Sequence, residues 1–227
     1  MLQNASRKFR GACMMLMREG EDQLSFLGTA FLVHPSGYLL TAAHLVSNTQ
    51  GLRIVPTAFS DDFIPMTFDR VAAMSVSVVS KNTNADVALL KLEQELAIEV
   101  PDDFVGATQN VRPGASIMTV GYSFGHEQLH TTLNFNGVVA AKIQSPNGTR
   151  LILFDKMVND GDVGGPLVHV HDGHIVGVIS GRFEPAETVR GSDQWDRSPP
   201  RDTTVAFAVA IEYGLELMAA EGLHGNY

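Results

Sequence analysis

Short runs of apolar residues, rich in β-branched side chains, alternate along the chain with turn-forming residues. Runs of this length and composition predict β-strands, and their regular recurrence is typical of an all-β sandwich or barrel. The predicted strands cover residues 24–33, 38–41, 71–79, 87–92, 116–120, 133–143, 151–154, 166–170, 174–180 and 203–209. An Asp-Gly pair at 172–173 lies between two of these runs and predicts a hairpin.

One helix is predicted, close to the end of the chain. Residues 211–221 place Ile211, Leu215 and Met218 on one face, and Gly222 follows as a residue that commonly ends a helix. The strand pattern is interrupted between residues 99 and 112, which predicts two halves, 1–105 and 106–227. Loops at 57–70 and 183–202 are long for a compact domain.

Composition narrows the class of protein. The chain has 227 residues, of which 44% are hydrophobic, and a formal net charge of -9. The hydrophobic content is sufficient for a substantial folded core. Since there is no block of lysine and arginine, neither nucleic acid nor an anionic membrane is an expected partner.

Cys13 is the single cysteine, so no disulfide can form within the chain. This favours a reducing compartment. The amino terminus has basic residues but no long apolar run behind them, and no stretch approaches the ~18 apolar residues of a membrane span. The expected location is therefore cytoplasmic, and a periplasmic or secreted location is the alternative if a signal segment has been removed.

Three segments carry the residue types that acyl-transfer chemistry requires. Residues 38–44 read Tyr-Leu-Leu-Thr-Ala-Ala-His, residues 84–92 read Asn-Ala-Asp-Val-Ala-Leu-Leu-Lys-Leu, and residues 159–167 read Asn-Asp-Gly-Asp-Val-Gly-Gly-Pro-Leu. An imidazole can accept a proton, a carboxylate can hold that imidazole, and a glycine-rich backbone can direct N–H groups at a developing oxyanion. Taken singly, each segment has a structural interpretation as a buried histidine, a turn aspartate or a tight turn.

Together, and in this order, the segments resemble the trypsin-like serine protease family, with a pattern closest to bacterial HtrA-like protease domains. The match covers about residues 11–217, and the runs 111–125, 136–139 and 205–209 also resemble segments of HtrA-like proteins. The resemblance implies an all-β fold of two packed antiparallel β-barrels, chymotrypsin-like, with a C-terminal helix. It also implies endopeptidase activity on a peptide or protein substrate without a cofactor.

The resemblance assigns His44 as the general base, Asp86 as the residue that orients it, and position 163 as the nucleophile. The backbone N–H groups of Gly161 and Val163 would form the oxyanion hole. Position 163 is valine, which has no acidic proton and no lone pair, so the chain is predicted to be inactive. Two interpretations stay open: a serine endopeptidase whose nucleophile was replaced, and a natural pseudoprotease that binds peptides or regulates.

Asp162 also departs from the pattern. In trypsin itself the matching carboxylate pairs with a newly cleaved amino terminus, and HtrA-like proteins commonly carry asparagine there. A buried unpaired carboxylate is costly, so Asp162 needs another partner. The sequence does not identify that partner.

Substrate-binding residues follow from the same resemblance. Met157 matches the floor of the specificity pocket, and Ser180, Gly181 and Arg182 match its opposite wall. An apolar floor favours aliphatic or small aromatic side chains over lysine or arginine. The alternative is that Met157 is a core residue.

The long loop 183–202 is a candidate cover for this groove, together with Arg182. Its members with large side chains are Arg190, Trp195 and Arg197. A solvated loop is the alternative interpretation.

Four residues cluster in the way that metal ligands do: His169, His171, Asp172 and His174. They lie on either side of the Asp-Gly hairpin, and no cysteine or glutamate completes a ligand set. An exposed hairpin without a metal is therefore the favoured interpretation.

Overall fold

The computed structural model describes residues 2–9, 11–21, 23–56, 62–67, 71–94, 104–183 and 204–223. Within these ranges the chain forms twelve β-strands and two α-helices. The first six strands are β1 Cys13–Glu19, β2 Leu24–His34, β3 Tyr38–Thr41, β4 Leu52–Val55, β5 Met74–Asn82 and β6 Val87–Leu92. The second six are β7 Ser116–Gly121, β8 Leu133–Gln144, β9 Arg150–Asp155, β10 Pro166–His169, β11 His174–Arg182 and β12 Val205–Ala210. The helices are α1 Leu2–Phe9 and α2 Glu212–Ala220.

Each set of six strands closes into an antiparallel barrel. The strand order is β1-β2-β3-β6-β5-β4 in the first barrel and β10-β11-β12-β9-β8-β7 in the second. Closure leaves no free sheet edge among the described strands and encloses an apolar core in each barrel. A further apolar cluster contains residues of both barrels and of both helices. The predicted fold class, two packed antiparallel barrels with a C-terminal helix, is confirmed.

All ten predicted strands are present, with ends shifted by up to three residues, and β1 and β4 are additional. The first part of β1 reads Cys-Met-Met-Leu-Met and is buried throughout, so it shows neither β-branched enrichment nor alternation. Unbranched side chains favour helix over strand in isolation. Its strand conformation comes from pairing with β2 and β4 on either side.

Helix α1 was not predicted, because eight residues are too few to show a clear helical period. It buries Ala5 and Phe9, and the Phe9 ring lies 4.8 Å from the Phe104 ring between centroids. The charged Arg7 and Lys8 lie in its last turn, where cations complement the helix dipole.

Helix α2 agrees with the predicted helix 211–221 to within one residue at each end. It follows β12 of the second barrel and packs across the first barrel. At Gly214 the approach is so close that a Cβ would lie 2.5 Å from Leu40 Cδ1. The helix therefore joins the two barrels.

The boundary predicted at residues 105 and 106 stays a prediction. Strand β6 ends at Leu92 and β7 begins at Ser116, and between them Val105 already pairs with Ile175 of the second barrel. Arg190, Trp195 and Arg197 lie outside the described residues. In the part of the chain that is described, no helix combines the length and apolar character needed to cross a bilayer.

Candidate active site

His44 and Asp86 are brought together by two neighbouring strands of the first barrel. His44 lies in a 3₁₀ turn just after β3, and Asp86 immediately precedes β6, which pairs with β3. His44 Nδ1 is 3.0 Å from Asp86 Oδ1 and 2.9 Å from Oδ2, and the His44 backbone N–H donates to Oδ1 at 2.9 Å. Asp86 has φ 57°, in the left-handed region that aspartate tolerates better than most residues.

Ser180 of β11 completes this group from the second barrel. Its hydroxyl donates a hydrogen bond to Asp86 Oδ2. The sequence assigned Ser180 to the groove wall, and its contact with Asp86 carries no local signal because 94 residues separate the two. Residues from both barrels therefore hold the carboxylate in place.

The two ionisable groups shift each other in opposite directions. The hydrogen bond to Asp86 raises the pKa of His44 above its ordinary value, although burial acts in the opposite sense. Burial by itself would raise the pKa of Asp86, but hydrogen bonds from His44 and Ser180 outweigh it and lower that pKa. The side chain of His44 is 52% exposed, so its proton can exchange with solvent.

We expect His44 to titrate above pH 6.5 in an NMR titration, and Asp86→Asn to return its midpoint to about 6.5 or below. Without the carboxylate only burial remains, and burial disfavours the imidazolium. Because the folded pKa of His44 is raised, its contribution to stability is complete below about pH 6.5 and is lost as pH rises through the folded pKa. Asp172→Asn should leave the His44 titration unchanged, and a midpoint below 6.5 in the unsubstituted chain would contradict the expectation.

The glycine-rich segment forms a tight turn beside this pair. A 3₁₀ turn spans Asp160–Asp162, and Thr29 of β2 holds it by donating its Oγ1 hydrogen to the Gly161 carbonyl at 2.7 Å. A Cβ on Gly161 would lie 2.0 Å from the Tyr122 carbonyl oxygen. Gly164 has φ +83°, and a Cβ there would lie 2.2 Å from the Thr29 carbonyl oxygen. Packing against two other segments therefore requires glycine at both positions.

Val163 follows the turn and is almost completely buried, with 8% of its surface exposed. Its side chain belongs to an apolar cluster that includes Ala42, the residue before the His44 turn, and Leu45 of that turn packs against the cluster. Its backbone N–H donates to the Asp160 carbonyl at 3.3 Å. The N–H group predicted as an oxyanion donor is therefore engaged within the turn, and the predicted oxyanion hole of Gly161 and Val163 stays a prediction.

The residues predicted to bind substrate lie at the surface near this turn. Met157 is 53% exposed, so the alternative that it is a core residue is wrong. Arg182, at the end of β11 after Gly181, donates from Nε to the Val158 carbonyl at 2.8 Å, which ties the strand to the segment after Met157. Their role in substrate binding stays a prediction.

A cleft of about 510 Å³ opens beside Asp86 and Ser180. Leu151 and Phe207 give it an apolar side, and Asn84 contributes polar atoms at its rim. Its lining includes Asp86 and Ser180 but not His44, Val163 or Met157. The site can position and deprotonate a group brought to His44, but the valine side chain offers no nucleophile.

The histidine hairpin is organised by Asp172. Its Oδ2 is 2.9 Å from His169 Nδ1 and 3.7 Å from His174 Nδ1, and its Oδ1 accepts the His174 backbone N–H at 3.2 Å. Hydrogen bonds lower the pKa of Asp172 against the effect of burial, which raises it. Within the described ranges no three His, Cys, Asp or Glu side chains are arranged to hold a metal ion.

The partner of Asp162, which the sequence left open, is Lys156. Lys156 Nζ lies 2.7 Å from Asp162 Oδ2, and both side chains are buried. The Ser123 hydroxyl donates to Oδ1, and the Asn159 backbone N–H donates to Oδ2 at 3.0 Å. No sequence motif around Lys156 indicates this pairing. The pairing depends on the position of the end of β9 relative to the turn Asp160–Asp162.

A family model described as a trypsin-like peptidase domain matches residues 28–178, a range that contains His44, Asp86 and the glycine-rich turn. The chain is 31% identical over 160 residues to a probable periplasmic serine endoprotease DegP-like of Pseudomonas fulva (strain 12-X), which covers 69% of this chain and 29% of the relative. It is 25% identical over 204 residues to a protein of the same name from Hahella chejuensis (strain KCTC 2396), covering 88% and 36%. The chain thus spans about a third of the length of these relatives.

Solved structures share the same architecture. The HtrA-type protease AlgW with a tripeptide superposes with a TM-score of 0.68 at 23% identity, covering 97% of this chain and 63% of that chain. The same protease with a decapeptide gives 0.69 at 19% identity, covering 99% and 68%. At these identities the likeness is one of fold.

Proposed function

Because the chain belongs to the trypsin-like peptidase domain family, we propose that it is a serine endopeptidase domain of the HtrA/DegP type whose hydrolytic step requires serine at position 163. The observation that carries the proposal is the alignment of His44 with Asp86, at 2.9 and 3.0 Å, beside a glycine-rich turn. An imidazole in another orientation could not serve as a general base. The orientation that Asp86 gives to His44 is therefore a requirement of the proposed activity.

The proposed mechanism places each group in a stated role. His44 accepts the proton of a serine hydroxyl at position 163 as the serine oxygen bonds to the substrate carbonyl carbon, and it gives that proton to the amine that leaves when the peptide C–N bond breaks. Asp86 holds the imidazole and stabilises the imidazolium. The Asp160 carbonyl must first rotate away, because it now accepts the backbone N–H of residue 163. That N–H and the Gly161 N–H then donate to the substrate oxyanion. The test is the substitution Val163→Ser, assayed against a labelled unfolded protein.

For the chain with valine, peptide binding without cleavage is the second candidate function. The observation that favours it is the burial of Val163 in an apolar cluster, so the nucleophile position is occupied by a packed apolar side chain. The solved structures that share this fold carry a tripeptide and a decapeptide, which supports a polypeptide as the class of ligand. On this proposal the cleft keeps its recognition function and lacks the reaction.

We expect the chain with valine to bind fluorescein-labelled β-casein, followed by fluorescence anisotropy, without producing fragments. Met157→Asp should weaken binding at least about tenfold, since it places a charge where an apolar side chain is recognised. Val138→Asp, at an apolar side chain of β8 that is 43% exposed, is the matched control and should leave the Kd unchanged. Equal losses in both variants would show that binding does not use the predicted pocket.

The names of the relatives also bear on location. Both are described as periplasmic, which favours the periplasmic alternative over the predicted cytoplasmic location. We therefore place the domain in the periplasm as a proposal. Fractionation of the source cells with an antibody against the chain tests it, and recovery in the cytoplasmic fraction would reject it.

A further inference from the structure

Lys156 and Asp162 form a buried ion pair at the base of the glycine-rich turn. The Nζ–Oδ2 distance is 2.7 Å, and the side chains are 8% and 1% exposed. Burying two charges has a large desolvation cost, which is offset only when geometry and additional hydrogen bonds are good. Overall stability therefore does not explain why this pair is buried. Its location at the base of the turn points to a local function.

The carboxylate and the backbone of Asp162 both make hydrogen bonds that hold the turn. Its carboxylate accepts the Asn159 backbone N–H at 3.0 Å, while its own N–H donates to the Asn159 carbonyl at 2.9 Å. These two hydrogen bonds join the two ends of the 3₁₀ turn, and Ser123 fixes the second carboxylate oxygen. The next residue is Val163, so the position of Asp162 determines where the nucleophile position and its N–H group lie.

Lys156 supplies its charge from the rigid part of the second barrel. It directly follows β9, its backbone N–H donates to the Phe154 carbonyl at 3.2 Å, and its ammonium lies 4.3 Å from the centre of the Phe135 ring of β8. A side chain packed in this way has little freedom to point elsewhere. Strands β8 and β9 thus hold the Lys156 ammonium in place beside Asp162.

We propose that Lys156 is a positioning residue of the site: its ammonium fixes the Asp162 carboxylate and thereby the turn that carries residue 163. It acts through Asp162 and does not contact substrate. The part of this inference that concerns catalysis rests on the proposed endopeptidase function. The part that concerns the turn does not, and it is tested on the chain with valine.

The first experiment is hydrogen–deuterium exchange of the chain with valine, comparing Lys156→Met with Lys142→Met. Lys142 is the control, because it is a lysine of the same barrel whose ammonium also makes hydrogen bonds within the protein, to the Thr108 and Val111 carbonyls, but whose residue is exposed. Lys156→Met should accelerate exchange across residues 160–165 at least about tenfold while strands of both barrels stay protected. Lys142→Met should leave residues 160–165 unchanged.

Unchanged exchange at 160–165 in Lys156→Met would overturn the proposal. A uniform acceleration over all strands would also overturn it, because Lys156 would then serve only overall stability. If Lys156→Met does not fold, Lys156→Gln is measured instead, since it keeps a donor and removes the charge. The same local acceleration is expected there, and its absence is equally decisive.

The second experiment uses the Val163→Ser background and steady-state kinetics. Lys156→Met should lower kcat at least about 100-fold with little change in KM, because the oxyanion donors are displaced while the cleft is intact. Lys156→Arg keeps the charge and should recover most of the loss. A fall confined to KM, or no recovery with arginine, would reject the positioning role.

The pH profile gives a readout that a purely structural role would not change. Burial lowers the pKa of Lys156 from its ordinary value, while Asp162 acts to raise it. In the described chain the charged group that acts on Lys156 is Asp162; Phe135 presents its ring, and Ser123 and Asn159 face the carboxylate. Activity should fall at alkaline pH as Lys156 loses its proton, and Lys156→Arg should move that fall upward by at least about one pH unit, because arginine stays protonated.

If activity falls at the same alkaline pH in Lys156→Arg as in the Val163→Ser background, the positioning role of Lys156 is rejected. If Val163→Ser alone shows no hydrolysis, the proposed endopeptidase function fails. The exchange experiment still decides whether Lys156 fixes the turn. The two failures are therefore distinguishable.

Discussion

Val163→Ser is expected to raise peptide-bond hydrolysis at least about 10³-fold above the chain with valine, which corresponds to about 4 kcal/mol in the activation barrier. The substitution introduces a hydroxyl at the position that the family resemblance assigns to the nucleophile, in a chain whose His44 ring Asp86 already holds at 2.9 and 3.0 Å. The remaining groups contribute little without a nucleophile, because general-base catalysis needs a proton to remove. The gain stays below that of an optimised enzyme, since the turn must open before its N–H groups can donate.

The measurement is cleavage of a fluorescein-labelled unfolded protein, together with covalent labelling by a fluorophosphonate. Val163→Ala is the matched control, because it also removes the bulk of valine but adds no hydroxyl. It should show neither cleavage nor labelling. His44→Ala in the serine background should abolish both signals. If Val163→Ser neither cleaves nor labels, the endopeptidase proposal fails and the peptide-binding function is the one that stands.

The second large effect is expected from Asp86→Asn in the Val163→Ser background, which should lower kcat about 10³–10⁴-fold. Asp86 accepts from the His44 ring, the His44 backbone and Ser180, so its carboxylate fixes both the tautomer and the orientation of the imidazole. An asparagine amide of the same shape presents a donor where an acceptor is needed. The imidazole is then held in the wrong tautomer, or released.

Asp172→Asn is the matched control, because that aspartate also pairs with a histidine Nδ1 at 2.9 Å but lies in the β10–β11 hairpin. It should leave kcat within about twofold of the background. A similar loss in both variants would indicate a general effect on folding. A loss of less than about tenfold in Asp86→Asn would show that His44 is not the base in the way proposed.

A strand could be predicted from sequence where its own residues show a strand-like run of apolar side chains with clear ends. β3 and β6 have the predicted bounds, because both are short apolar runs with clear limits. β1 could not be predicted, because its methionines carry no strand preference and its burial on both faces removes the alternation. Helix α1 was missed for a related reason: burial of Phe9 against Phe104, far along the chain, is what stabilises it.

The candidate site divides in the same way. His44, Asp86 and the turn at 160–165 could be named from sequence because each lies in a continuous segment that resembles a motif of the trypsin-like family. The contacts that hold them could not be located. Ser180 reaches Asp86 from 94 residues away, and Thr29 reaches Gly161 from 132 residues away, across the junction of the two barrels.

The sequence by itself determined the all-β class and the absence of a hydroxyl at position 163, because strand patterning and side-chain chemistry are properties of the chain alone. Only the tertiary structure decided that Lys156 neutralises Asp162 and that the Val163 N–H is engaged with Asp160. Which charges meet, and which backbone groups remain free, depends on strand register and barrel closure. These are set by packing between segments that are distant in sequence, and no local motif records them.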